Sequence, residues 1–77
     1  MNKKRRTSLR SALDLLLRAL GIVESVVDEE RDSLWNMPQN LEASEQYRAM
    51  EDAIDEMTSA IDNINAASES IERAADA

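Results

Sequence analysis

The chain contains no cysteine and no histidine. The missing cysteine excludes a disulfide framework and thiolate chemistry, and it fits a reducing compartment. The missing histidine removes the commonest acid–base group at neutral pH and the commonest ligand of transition metals. The chain also offers no paired nucleophile and base and no phosphate-binding loop. We therefore expect a protein that is not an enzyme and that uses no cofactor.

Glycine, proline and aromatic residues are scarce as well. The 77 residues include one glycine, Gly21, one proline, Pro38, and two aromatic residues, Trp35 and Tyr47. So few turn-forming residues predict few secondary-structure elements. A chain of this length is at most one small domain and buries little apolar surface, which favours an oligomer or a bound partner.

Positive charge is in deficit, and the net charge is −7. Residues 1–34 carry a net charge of +1, and residues 35–77, with two basic and ten acidic residues, carry −8. An acidic body disfavours direct binding to nucleic acid or to an anionic membrane. Arg10, Asp14 and Arg18 interrupt the first apolar run, which argues against a signal peptide and a membrane span. The sequence thus predicts a cytoplasmic protein.

The second half carries a heptad repeat. Apolar or small residues recur at alternating spacings of three and four over four heptads, as at the a and d positions of a coiled coil. These residues are Tyr47, Met50, Ile54, Met57, Ile61, Ile64, Ser68, Ile71 and Ala75. The pattern predicts one helix over about 41–75, starting either at Pro38 or after an N-cap at Ser44, and fraying past Ile71.

Two further rows follow the same repeat. Alanines directly precede four of the five a positions, at Ala53, Ala60, Ala67 and Ala74. Acidic residues occupy the b positions and form an acidic face, which consists of Asp55, Asp62, Glu69 and Asp76. Such carboxylates could hold a cation, but the apolar seam beside them favours a solvated surface, so no metal site is predicted.

The first half predicts a second helix, over about 8–34, with Thr7 or Ser8 as its N-cap. Residues 1–6 then form a basic, flexible tail, because lysine and arginine are unfavourable at the positive end of the helix dipole. The seam of this helix has Glu30 at one position where an apolar residue is expected. Its other members are Leu9, Leu13, Leu16, Leu20, Val23, Val27 and Leu34.

An additional apolar row, here called the apolar strip, runs beside this seam. It makes the helix too apolar for a two-helix hairpin, which needs one face of roughly 100°. The strip consists of Ala12, Leu15, Ala19, Ile22 and Val26. We expect two hairpins to bury their strips against each other as a homodimer, forming a four-helix bundle. The alternative is a monomer that keeps the strip for another protein.

Pro38 marks the one convincing break, at about residues 35–40. A short connection between two long helices gives an all-α, antiparallel two-helix hairpin. With the turn there, facing residue numbers add up to about 77, which places Leu13 near Ile64 and Val27 near Met50. The apolar residues around the break are expected to close the end of the hairpin. They are Leu34, Trp35, Met37, Leu41 and Tyr47.

The turn and the heptads resemble those of a family of small acidic helical-hairpin proteins found in phages, prophages and mobile elements of Firmicutes. The resemblance lies in the turn Asn36–Met37–Pro38–Gln39–Asn40–Leu41 and in the Ala-Ile-Asp repeats at 53–55 and 60–62. It covers about the last 45 residues of the chain. It implies a bacterial or phage cytoplasm, and it brings no activity and no site residues.

Two functions fit these features. The first is a protein–protein interaction module that binds a host or phage protein through its helical faces. The second is an acidic mimic of nucleic acid that inhibits a DNA- or RNA-binding protein. Lys3 to Arg6 could contact phosphate, but the acidic body and the lack of interleaved aromatic residues disfavour this role.

Overall fold

The computed structural model describes residues 1–38, 40 and 44–77, and this part of the chain contains two α-helices and no strand. Helix α1 spans Lys3–Trp35 and helix α2 spans Glu45–Asp76. The first turns of α1 contact the end of α2, where Arg10 pairs with Asp76 at 3.5 Å. The helices therefore run antiparallel, and the prediction of an all-α helical hairpin is confirmed.

The predicted seams form the interface between the two helices. All nine seam positions of α2 are buried or half-buried, and so are the seam positions of α1, including Glu30. The most enclosed side chains are Ala75, Val27 and Ile54, which are 2%, 3% and 8% exposed. The period of the apolar residues thus predicts which face of each helix is covered.

Helix α2 begins at the second of its two predicted starts. The Ser44 hydroxyl oxygen accepts a hydrogen bond from the backbone N–H of Tyr47 at 3.1 Å, which satisfies one free amide of the first turn. Glu45 in the first turn and Arg73 in the last turn both complement the helix dipole. Residues 41–43, which the prediction included, lie outside the described part. The last turn, predicted to fray, is helical as far as Asp76.

Helix α1 begins five residues earlier than predicted. The Asn2 side chain accepts a hydrogen bond from the backbone N–H of Arg5 at 2.8 Å and is the N-cap. The hydroxyls of Thr7 and Ser8 instead donate to the carbonyls of Lys3 and Lys4. The prediction of a separate tail over residues 1–6 is therefore wrong. The Asn2 cap contributes about 1 kcal/mol, which offsets the comparable cost of basic residues at this end of the helix.

The prediction for the end of the hairpin is wrong for Trp35. Leu34, Met37 and Tyr47 are half-buried as expected, but the Trp35 side chain is 89% exposed. Each residue of an α-helix is rotated by 100° from the one before. Since Leu34 lies in the seam, Trp35 turns toward solvent at the last helical position. Leu41, the remaining member of the expected cluster, lies outside the described residues.

The register between the helices also differs from the prediction. Arg6 donates to the Ala77 carbonyl at 2.9 Å, and Arg10 pairs with Asp76, so the facing residue numbers add up to 83 and 86. The predicted value of about 77 is therefore too small by roughly one heptad. Because α2 starts only at Glu45, the connection is longer than assumed and its midpoint lies further along the chain.

The described chain is long and thin. Its principal extents are 59 × 14 × 12 Å, and its radius of gyration is 17.5 Å. A compact domain of the same length would have a radius of gyration of about 11–12 Å. The shape follows from two helices of 33 and 32 residues lying side by side. Each helix is therefore covered on one side only.

Candidate interaction surface

The apolar strip of α1 is exposed in the single hairpin. Leu15, Ile22 and Val26 are 61%, 67% and 42% exposed, while Ala12 and Ala19 are half-buried. All five residues occupy g and c positions of the heptad repeat, beside the a and d positions that face α2. The strip therefore lies along one flank of the hairpin, where α2 covers only its inner edge.

The alanine row of α2 borders the same flank. In an antiparallel pair of helices, the g positions of both helices flank one side of the seam and the e positions flank the other. Ala53, Ala67 and Ala74 are exposed, and Ala60 is half-buried. Alanine side chains are short, so they leave room beside the larger leucine and isoleucine side chains of the strip.

The opposite flank of the seam is polar. Glu24 and Arg31, at e positions of α1, line a small cavity of about 140 Å³ together with Thr58, at an e position of α2. This shared lining places the two e rows on one side of the hairpin. Leu17 also lies on this side and is 62% exposed, so it does not extend the apolar strip.

The acidic face lies on the polar side of α2. Its four residues, Asp55, Asp62, Glu69 and Asp76, are all exposed, as predicted for b positions. Asp76 pairs with Arg10 at 3.5 Å, with both side chains more than 60% exposed. An exposed pair of this kind contributes at most about 1 kcal/mol. The acidic face is thus largely a solvated surface, separate from the strip.

The basic residues at the start of α1 lie at the opposite end of the helix from a group of acidic residues. Lys3, Lys4 and Arg5 are exposed in the first turn of α1, while Arg6 is half-buried against the end of α2. Residues 28–32 include four acidic residues and one arginine. Helix α1 therefore carries positive charge before the apolar strip and negative charge after it.

The hairpin exposes more surface than a compact monomer of the same mass. The accessible surface is 5877 Å². A compact monomer of 8.6 kDa exposes about 4,700 Å². The excess of about 1,200 Å² is more than the roughly 800 Å² that each partner buries in a protein–protein interface of standard size.

The acidic residues of the described part do not form a cluster typical of a metal site. No three carboxylates converge in a way that could hold a metal ion within residues 1–38, 40 and 44–77. In the same part of the chain, neither helix combines the length and the apolar character that a bilayer crossing demands. The apolar strip remains the candidate surface, because it places three large apolar side chains, Leu15, Ile22 and Val26, in contact with solvent along one flank.

Comparison of the chain with protein families, with curated proteins and with solved structures gives no match in any of the three.

Proposed function

We propose that the chain is a small, non-enzymatic protein–protein interaction module whose helical faces bind other proteins, and that its apolar strip joins two hairpins into a homodimeric four-helix bundle. The Asn36–Leu41 turn and the Ala-Ile-Asp repeats resemble those of small acidic helical-hairpin proteins of phages, prophages and mobile elements. This resemblance implies a bacterial or phage cytoplasm as the setting. The observation that carries the proposal is the exposure of Leu15, Ile22 and Val26 along one flank of the hairpin.

Burial of this strip supplies a driving force for association. Apolar surface removed from water contributes about 25 cal/mol per Å². The interior of the lone hairpin is thin, since Val27, Ile54 and Ala75 are the buried apolar residues in the described part. A second hairpin placed on the strip would cover α1 from a second side. It would turn a two-helix pair into a bundle with a continuous core.

The test is the mass of the protein in solution, measured by sedimentation equilibrium for matched variants. Leu15 and Leu17 are 61% and 62% exposed on the same helix, but only Leu15 belongs to the strip. We expect the native chain and the Leu17→Lys variant to have twice the single-chain mass of 8.6 kDa. We expect Leu15→Lys, alone or with Ile22→Lys, to have the single-chain mass, because a buried lysine charge opposes association.

Two results would contradict self-association through the strip. One is a native chain that keeps the single-chain mass at every concentration up to the millimolar range. The other is an equal loss of dimer in Leu15→Lys and Leu17→Lys, which would indicate a general effect of added charge. Circular dichroism of each variant checks that the helices remain.

A second candidate function is supported by the exposure of all four residues of the acidic face. Their seven-residue spacing sets successive carboxylates about 10.5 Å apart along α2, on the side away from the strip. Such a row could occupy the basic groove of a DNA- or RNA-binding protein as a mimic of nucleic acid. A complex formed in this way would weaken steeply with added salt, whereas a dimer formed through the apolar strip would not.

A further inference from the structure

The charge pattern of α1 carries information on how two copies meet. Around the strip, the g and c positions continue into Arg5 and Ser8 on one side and into Glu29 and Ser33 on the other. All four are exposed in the hairpin. The strip is thus an apolar centre with a positive charge at one end and a negative charge at the other.

Positions f flank the same surface on its outer edge. Reading along α1, these positions hold Lys4, Ser11, Arg18, Ser25 and Asp32, all exposed. In this row too, a basic residue, Lys4, precedes the strip and an acidic residue, Asp32, follows it. The f row therefore has the same charge polarity as the g and c positions that it borders.

We propose that the partner on the strip is the α1 helix of a second copy, lying antiparallel across a twofold axis near Ala19. This inference rests on the proposed function and adds which helix meets which, and in what direction. Facing residue numbers then add up to about 38, so that Ala19 faces itself, Ala12 faces Val26 of the second copy, and Leu15 lies beside Ile22 of the second copy.

The antiparallel direction is selected by charge. In this arrangement Lys4 lies near Asp32 of the second copy, and Arg5 lies within one helical turn of its Glu29. The twofold axis repeats both contacts. A parallel arrangement would set Lys4, Arg5, Glu29 and Asp32 each against its own copy, and all these like-charge contacts oppose association. Arg18 faces itself in either direction, so it does not discriminate between them.

The charges of the two helices also favour α1, rather than α2, as the helix that contacts the strip of the second copy. The c and g positions of α2 hold alanine, asparagine, serine, Gln46 and one acidic residue, Glu56. In the register of the hairpin, an antiparallel contact between α1 and α2 of the second copy would bring the four acidic residues of segment 28–32 beside the four acidic residues of segment 51–56. Contact between the two α1 helices avoids this repulsion and leaves the alanine rows of the two α2 helices facing each other.

The absence of cysteine from the chain allows a clean test by disulfide formation. Three variants are compared under mild oxidation: Ala12→Cys, Val26→Cys and the double variant with both changes. A disulfide forms only when the Cα atoms approach to within about 7 Å. Residues 12 and 26 of one helix are about 21 Å apart, so the double variant cannot close a disulfide within one chain.

We expect the double variant, and an equimolar mixture of the two single variants, to give a covalent dimer on a non-reducing gel. We expect each single variant alone to give at least tenfold less. Efficient cross-linking of each single variant with itself would indicate parallel helices and would overturn the inference. A protein with twice the chain mass whose variants all fail to cross-link would overturn it too, since the strip would then face another helix.

The mass measurement separates these failures from a failure of the proposed function. A native chain that keeps its single-chain mass rejects self-association as a whole, and the inference falls with it. A native dimer with the wrong cross-links rejects only the antiparallel contact between the α1 helices. Circular dichroism and mass are measured for the reduced variants, so that a cysteine substitution that merely weakens the dimer is recognised.

Discussion

Leu34 and Trp35 show how a step of one residue decides burial in this hairpin. Leu34 is half-buried in the seam, and the next side chain, Trp35, is 89% exposed. The size and apolar character of tryptophan predict burial in the small core at the end of the hairpin, but its position on the helix places it outside. The heptad count through Leu34 already contains this information. In a thin hairpin, helical phase outweighs side-chain hydrophobicity.

At Gly21, the space around the backbone decides how a substitution affects stability. A Cβ atom built on Gly21 meets nothing within 4 Å beyond its chain neighbours and the backbone of its own helix, so a methyl group would fit without strain. Alanine is more favourable than glycine inside a helix by about 1 kcal/mol. We expect Gly21→Ala to raise the free energy of unfolding by about this amount, as measured by urea denaturation.

The control for Gly21→Ala is the reverse change at an exposed position of α2, Ala66→Gly, which should lower the free energy of unfolding by a similar amount. A loss of stability in Gly21→Ala, with the expected loss in Ala66→Gly, would contradict the prediction. It would mean that the backbone at Gly21 lies against another chain, where a methyl group does not fit.

At the scale of the helices, the sequence predicts the covered faces but not the register. The seam residues recur every seven positions, so a shift of one helix by a whole heptad keeps apolar positions opposite apolar positions. Registers with facing numbers near 77 and near 84 are therefore almost equivalent in pattern. The length of the connection decides between them, and it depends on whether Pro38 or Ser44 starts α2.

The start of α1 is a second feature that the local sequence pattern does not predict. Asn2 is a strong N-cap residue, yet four consecutive basic residues after it predict a poor first turn. What local propensity does not include is the contact at the far end of the hairpin. There Arg6 donates to the carbonyl of Ala77 and Arg10 pairs with Asp76. Contacts between residues about 70 positions apart extend the helix into the segment predicted as a tail.

Glu30 provides a test of the seam itself. It occupies a d position of α1 and is half-buried, while the neighbouring seam residue Val27 is 3% exposed. Leucine at this position would complete the apolar row and would remove the cost of partly burying a carboxylate. We expect Glu30→Leu to raise the free energy of unfolding by about 1 kcal/mol, measured by urea denaturation.

Glu69→Leu is the matched control for Glu30→Leu, because it removes the same charge from an exposed position of the acidic face. It should leave the free energy of unfolding within about 0.5 kcal/mol of the native value. An equal gain in both variants would show that the effect comes from reduced net charge, and the seam position of Glu30 would then have no special role.

For the whole molecule, the dimensions matter more than any single contact. Two helices that touch along one seam leave each helix covered on one side, so an excess of about 1,200 Å² stays exposed. Small chains with thin interiors are marginally stable on their own. The residues that would thicken this interior, Leu15, Ile22 and Val26, are present but lie on the flank of the hairpin. Stability and self-association should therefore be linked.

This linkage predicts that thermal stability depends on protein concentration. When folding and dimer formation occur together, raising the concentration shifts the equilibrium toward the folded dimer. With an unfolding enthalpy of about 0.7 kcal/mol per residue, a tenfold increase in concentration should raise Tm by about 4 °C. Circular dichroism melts over a hundredfold range of concentration measure this shift.

Leu15→Lys should melt at a lower temperature that does not change with concentration, while Leu17→Lys should behave like the native chain. A native Tm that stays constant over the whole range would mean that the hairpin folds alone, and that its exposed strip is not needed for stability.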